Sequence, residues 1–156
     1  MAKLSAGILA YQYDEQKNLC VLLVHPGGPF YIKKDLGVWS IPKGEYDEHE
    51  DALTVAMREF EEETGNKIIT DNFIPLSPVK LKSGKKISAW ATKASFEKCF
   101  IQSNFFEMEW PPKSGKMQSF PEVDKAEWFT IQQAKIKLYS SQVSFVEELA
   151  TMNGKL

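Results

Sequence analysis

Four glutamates crowd one short stretch of this chain: Glu59, Glu61, Glu62 and Glu63. They close a segment, residues 50–64, in which Ala52, Leu53, Ala56, Met57 and Phe60 recur at spacings of three and four, the stripe of an amphipathic helix. Gly65 follows, where a helix C-terminus favours glycine. Carboxylates at that end oppose the helix dipole, and Glu59 and Glu63 are like charges one turn apart, which repel. A helix built only for stability would carry Lys or Arg there, and a local rule broken this plainly marks a functional position. At about 100° per residue, Glu59, Glu62 and Glu63 share one face, roughly a third of a turn from the apolar stripe, so that face borders the core. Glu61 points elsewhere, into solvent. Three converging carboxylates are hard oxygen donors. They suit Mg2+ or Mn2+, which prefer oxygen and retain waters that substrate phosphates can replace.

An acidic run near a helix end is ordinarily a solvated surface, and the wider spacing is what argues otherwise. Gly44 is followed after five residues by Glu50, and after seven more by Arg58-Glu59-Phe60-Glu61-Glu62-Glu63-Thr64-Gly65. This resembles the Nudix box, G-x5-E-x7-R-E-U-x-E-E-x-G-U, with U bulky and apolar. Gly44, Glu50, Arg58, Glu59, Glu62, Glu63 and Gly65 all match. At roughly 6% usage per residue type, such a match arises by chance at one register on the order of once in 10⁸. Phe60 is aromatic where the family usually has an aliphatic residue, and Asn66 replaces the last apolar one. Neither would be a ligand, so both read as packing changes.

The resemblance extends along nearly the whole chain. GILAYQ resembles the family's first strand, Trp39-x-x-Pro42-Lys43-Gly44 the lead-in to the box, and Glu122 with Glu127-Trp128-Phe129 and Gln133-Ala134 the C-terminal half. It implies an α/β fold, an α/β/α sandwich around a mixed β-sheet, with residues 1–156 as one domain. It implies that Glu59, Glu62 and Glu63 hold the metal with a backbone carbonyl from Lys43 or Gly44, and that Arg58 and Glu50 keep Glu59 in place. The general base is either a box glutamate, Glu59, or a glutamate beyond the box, for which Glu122 is the match and Glu107 and Glu109 are rivals. The activity implied is magnesium- or manganese-dependent cleavage of a phosphoanhydride bond in a nucleoside-diphosphate-linked substrate. The W-x-x-P-K-G lead-in resembles the diadenosine tetraphosphate hydrolase branch, although Glu45 stands where that branch often has His. A nucleoside triphosphate or dinucleoside polyphosphate is therefore the expected substrate. RNA 5′ ends, ADP-sugars and a non-catalytic ligand-sensing role are the alternatives, the last disfavoured because the box glutamates are kept.

Substrate contacts are expected from Lys43, beside the box glycine, and from His25, at a strand end next to the loop PGGPF. Phe30, Tyr31, Phe105 and Trp110 are candidates for stacking on a base, and Lys113 and Lys116 for reaching a phosphate chain.

The elements that must position these residues read as follows. Residues 5–13 and 20–25 are strands joined by the turn DEQKN. Residues 74–82 and 86–95 are strands joined by SGKK, 98–110 a further strand, 110–122 a long polar loop, 126–130 a short strand and 131–151 a helical pattern. With 156 residues, 43% of them hydrophobic, the chain is long enough for one sizeable core. A formal charge of -2 gives no electrostatic case for nucleic acid. Cys20 and Cys99 read as reduced thiols. No signal peptide precedes Leu4 and no apolar run approaches the roughly 20 residues of a membrane span, so a cytoplasmic protein is expected. A small-molecule nucleotide is the expected partner, and a homodimer is left open.

Overall fold

The computed structural model describes residues 3–156. In chain order the elements are β1 (Leu4–Tyr13), β2 (Leu19–Pro26), β3 (Lys43–Tyr46), α1 (Ala52–Thr64), β4 (Ile74–Pro75), β5 (Val79–Lys80), β6 (Lys86–Lys93), β7 (Phe105–Glu109), β8 (Met117–Pro121), β9 (Val123–Thr130), α2 (Ile131–Lys137) and α3 (Val143–Thr151), with a short 3₁₀ turn at Ser140–Gln142. β1 and β2 form the expected hairpin. Its turn is held by Asp14, whose carboxylate accepts from the backbone N–H of Gln16 and Asn18 at 2.9 and 2.8 Å.

Seven strands make one mixed sheet, in which β6 runs parallel to β1 and the other pairs are antiparallel. One edge of β1 is divided. β2 pairs with it over Tyr11–Tyr13, while β3 takes over along Leu4–Gly7. The strands β1 and β2 therefore splay, and the lead-in to the box occupies the opening. Alternation on β1 and β2 sends side chains to two separate cores. Leu9, Tyr11, Val21 and Leu23 pack with Trp39, Ile41, α2 through Ala134 and α3 through Phe145, Val146 and Leu149. Ala6, Ile8, Ala10, Leu22 and Val24 pack with α1 through Ala56 and Phe60. Helices thus cover both faces, giving the expected α/β/α sandwich.

Helix α1 begins at Ala52, two residues later than its apolar pattern suggested, because Asp51 is the N-cap: its carboxylate accepts from Thr54 N–H at 3.0 Å. Gly65 ends it with a φ of 81°, as expected for a left-handed cap.

Other boundaries differ from the sequence reading. Residues 74–82 form two short strands, β4 and β5, both against β6. The strand expected over 98–110 is limited to Phe105–Glu109, and the segment 110–122 is no open loop. It supplies β8, which pairs with β7 in a separate hairpin from Phe105↔Pro121 to Glu109↔Met117. Met117, Gln118 and Ser119 are all exposed, so β8 has no alternation to betray it. The helical pattern of 131–151 breaks at Leu138, which is extended and buried. There Trp39 N–H donates to Lys137 O and Tyr139 N–H donates to Trp39 O, so a tertiary pairing replaces the next helical turn.

Candidate active site

The box begins on β3. Pro42 O accepts from Ile8 N–H at 3.1 Å and Gly7 faces Lys43 across the β1–β3 register. A Cβ on Gly7 would lie 2.6 Å from Pro42 O, so only glycine lets the lead-in sit this close to β1. Gly44 is confined from the other side: a Cβ there would lie 2.2 Å from Glu59 Cδ. The two glycines pack β3 tightly between β1 and the acidic face of α1.

On that face Glu63 is buried, 8% exposed, and its Oε2 accepts from Lys43 N–H at 3.1 Å. Burial, then the neighbouring Glu59 carboxylate, push the Glu63 carboxyl well above the usual glutamate range, against the opposing pull of the Lys43 N–H. Glu59 is raised as well, by burial first and then by Glu62. Arg58 lies between their neighbours, with nitrogens 3.6 Å from Glu50, 3.9 Å from Glu59 and 3.9 Å from Glu62. Glu50 also accepts from Asp47 N–H at 3.1 Å, which closes the loop ahead of the helix. Among the described residues no group of three or more Asp, Glu, His or Cys side chains is placed to hold a metal ion. The donor set nonetheless fits a divalent ion. Glu59 and Glu63 are crowded carboxylates with raised proton affinity despite Arg58 and Lys43 nearby, and magnesium keeps several waters and needs only one or two protein carboxylates.

The C-terminal carbonyls of α1 are met by the segment after β6. Ile101 N–H donates to Thr64 O at 2.7 Å and Asn104 N–H to Glu62 O at 3.1 Å. Asn104 O in turn accepts from Glu122 N–H at 2.8 Å. This chain of bonds brings Glu122, about sixty residues beyond the box, close enough for its charge to raise both Glu59 and Glu63.

Beside these carboxylates opens a cavity of about 380 Å³. Its charged lining is Lys43, Lys85, Glu63 and Glu122. Val24, Leu81, Ile87 and Tyr139 supply apolar wall, and Ser40 and Gln142 polar atoms. Burial, then Lys85, hold the Lys43 ammonium below its usual pKa. A phosphate entering here would meet two lysines as well as the carboxylates.

The sequence matches the NUDIX domain over residues 1–149. The chain belongs to the Nudix family. It is a pyrophosphohydrolase of that family, whose members generally use divalent metal ions. Solved structures share the fold of this Nudix hydrolase at low identity. A Caenorhabditis elegans Ap4A hydrolase in a binary complex is 18% identical with a TM-score of 0.62, over 97% of this chain and 99% of that one. The NUDIX domain of Shewanella oneidensis NrtR, complexed with ADP ribose, is 19% identical with a TM-score of 0.67, over 97% and 88%. A Nudix hydrolase from M. smegmatis, RenU, is 16% identical with a TM-score of 0.60, over 97% and 86%. No curated protein matches the sequence significantly. No helix among the described residues of the Nudix hydrolase is long and apolar enough to cross a membrane.

Of the residues singled out in the sequence, Arg58 lies within 4 Å of Glu50, Glu59 and Glu62, Gly44 packs against Glu59, and Lys43, Glu63 and Glu122 line the cavity. His25 joins none of these: it is 1% exposed, with Nδ1 2.8 Å from Asp124 Oδ1 and Nε2 donating to Lys34 O at 2.6 Å, so no ring nitrogen is left for a substrate. Glu109 is spent on the β7–β8 turn, accepting from Lys113 N–H at 2.7 Å, and Glu107 lies exposed in mid-strand. Phe30 and Trp110 pack edge to face on each other at 5.3 Å, outside the cavity lining. Lys85, Tyr139 and Gln142 line the cavity unanticipated. Only Gln142 left a trace in the sequence, as a polar residue heading an apolar helical stripe.

Proposed function

We propose that this Nudix hydrolase cleaves a phosphoanhydride bond in a nucleoside triphosphate or dinucleoside polyphosphate with Mg2+ or Mn2+ bound at Glu59, Glu62, Glu63 and the Gly44 carbonyl. The observation that carries this reading is the cavity lined by both Lys43 and Lys85 and by Glu63 and Glu122. Two lysines suit a chain of several phosphates, each neutralising part of its charge. The apolar wall with Tyr139 offers a surface for a base.

The chain's own residues divide the work. Arg58 and Glu50 hold Glu59 against rotation. The Lys43 N–H fixes one oxygen of Glu63, leaving the other free to bind. Lys43 and Lys85 orient the phosphate chain, which turns a bimolecular encounter into a positioned one. The bound cation would neutralise the diphosphate and lower the pKa of an attacking water. Glu122 takes the proton from that water, since it borders the cavity while Glu59 is engaged with Arg58. Residues 1–156 act as one domain in this reading.

A nucleotide panel tests it: ATP and other triphosphates, diadenosine tetraphosphate, ADP-ribose and a 5′-triphosphorylated RNA, each with Mg2+, with Mn2+ and with excess chelator, products resolved by chromatography. Turnover of a polyphosphate nucleotide that stops in chelator is expected. Undiminished turnover in chelator, or preference for ADP-ribose, overturns the metal or the substrate reading respectively.

A further inference from the structure

The strand pair that carries Glu122 contains one irregularity. From Cys20↔Thr130 to His25↔Lys125 the strands β2 and β9 pair one to one, but the next pair is Pro26↔Val123, which leaves Asp124 as an extra residue on β9. Such a bulge shifts the alternation of everything beyond it by one. Its effect is visible in the cores. Ala126 and Trp128 face α1, and Val123 joins them there despite its odd number. Without the extra residue, position 122 would share that buried face. With it, Val123 is buried and Glu122 turns outward to the cavity.

The extra residue is pinned. The Asp124 carboxylate meets Nδ1 of His25 at 2.8 Å, and His25 is in turn fixed by Lys34 O and by Trp39, whose ring lies edge to face at 5.1 Å. The same corner anchors the Glu122 backbone: Gly27 N–H donates to Glu122 O at 2.9 Å, and a Cβ on Gly27 would lie 2.0 Å from Pro121 O.

We propose that the His25–Asp124 pair locks the β9 bulge and thereby aims Glu122 at the site, making His25 and Asp124 positioning residues for the general base. The inference rests on the reading of Glu122 as that base. It gives a buried histidine and a strand irregularity a shared role in catalysis without either touching substrate.

A double-mutant cycle tests it on the full chain, with diadenosine tetraphosphate or ATP, whichever is turned over faster. Asp124→Ala is expected to lower kcat about tenfold with KM within a few-fold, the pattern of a misplaced base. Asp124→Asn, whose side-chain amide can still hydrogen-bond Nδ1 of His25 in either tautomer, is expected to recover most of that loss. In a Glu122→Gln background Asp124→Ala should cost little more, because the group it aims is already disabled. Equal losses in both backgrounds would mean that Asp124 only stabilises the fold, and would overturn the inference while leaving Glu122 as the base. Full kcat in Glu122→Gln alone would overturn both. If Asp124→Ala does not fold, His25→Gln enters the same cycle from the other side of the pair, with the same expected outcomes.

Discussion

The backbone N–H of Lys43 donates to Oε2 of Glu63 at 3.1 Å. One bond thus ties the lead-in strand to the last turn of α1 and fixes the orientation of a carboxylate that burial alone would neutralise. Glu63→Gln should abolish most turnover yet leave the metal-free protein equally or more stable. Glutamine keeps the size and helix propensity of glutamate, and its carbonyl can still accept from Lys43. It removes a charge from a repelling cluster at the unfavourable end of the helix dipole, each relief worth a few tenths to about 1 kcal/mol. Added Mg2+ should raise the melting temperature of the parent more than that of the variant. Melts in chelator and in Mg2+ beside an activity assay check this; normal turnover in Glu63→Gln would mean that the metal lies elsewhere.

The raised carboxyls of Glu63 and Glu59 set the sign of a pH effect on stability. In the folded, metal-free protein they hold their protons at a pH where the unfolded chain has released them. Between the ordinary glutamate pKa and the raised values the native state binds more protons, so stability falls as pH rises through that window. Denaturant midpoints in chelator across mildly acidic to neutral pH should decline. The decline should be shallower in Glu63→Gln, and a midpoint that rises through this range in the parent would contradict the origin assigned to the shift.

Gly44 is a second point of close approach. Gly44→Ala places a Cβ about 2.2 Å from Glu59 Cδ, so the glutamate must move. Its expected signature is an unchanged far-UV spectrum with kcat reduced by roughly tenfold or more, as a displaced ligand or supporting group predicts. Retained kcat would show that Glu59 can vacate its place without cost.

The two glutamates compared beyond the box should behave differently. Glu122→Gln is expected to lower kcat at least about tenfold with KM within a few-fold, as loss of a general base does. Glu109→Gln should leave kcat within about twofold, since its carboxylate serves a turn and surface changes of that kind usually cost under about 0.5 kcal/mol. Reversed outcomes would move the base to the β7–β8 hairpin.

What could be read from the sequence alone was local. The helix carrying the glutamates announces itself by apolar periodicity and its closing glycine, and the shared face of Glu59, Glu62 and Glu63 follows from helical geometry without any partner. The β1–β2 hairpin and the lead-in Trp39-x-x-Pro42-Lys43-Gly44 are equally short-range signals. The tertiary structure decided the rest. The helical pattern after Ile131 runs through Leu138, yet the backbone of Trp39 captures that residue and the helix breaks. A polar segment became β8 because β7 was there to pair with it. His25 resembled a pocket residue until Asp124, ninety-nine positions away, claimed its Nδ1. Glu122 was one acid among several in the sequence. It approaches Glu59 and Glu63 just beyond a register shift at Asp124, with backbone bonds to Asn104 and Gly27, and register and long-range hydrogen bonding leave no periodic mark in a chain from which to infer them.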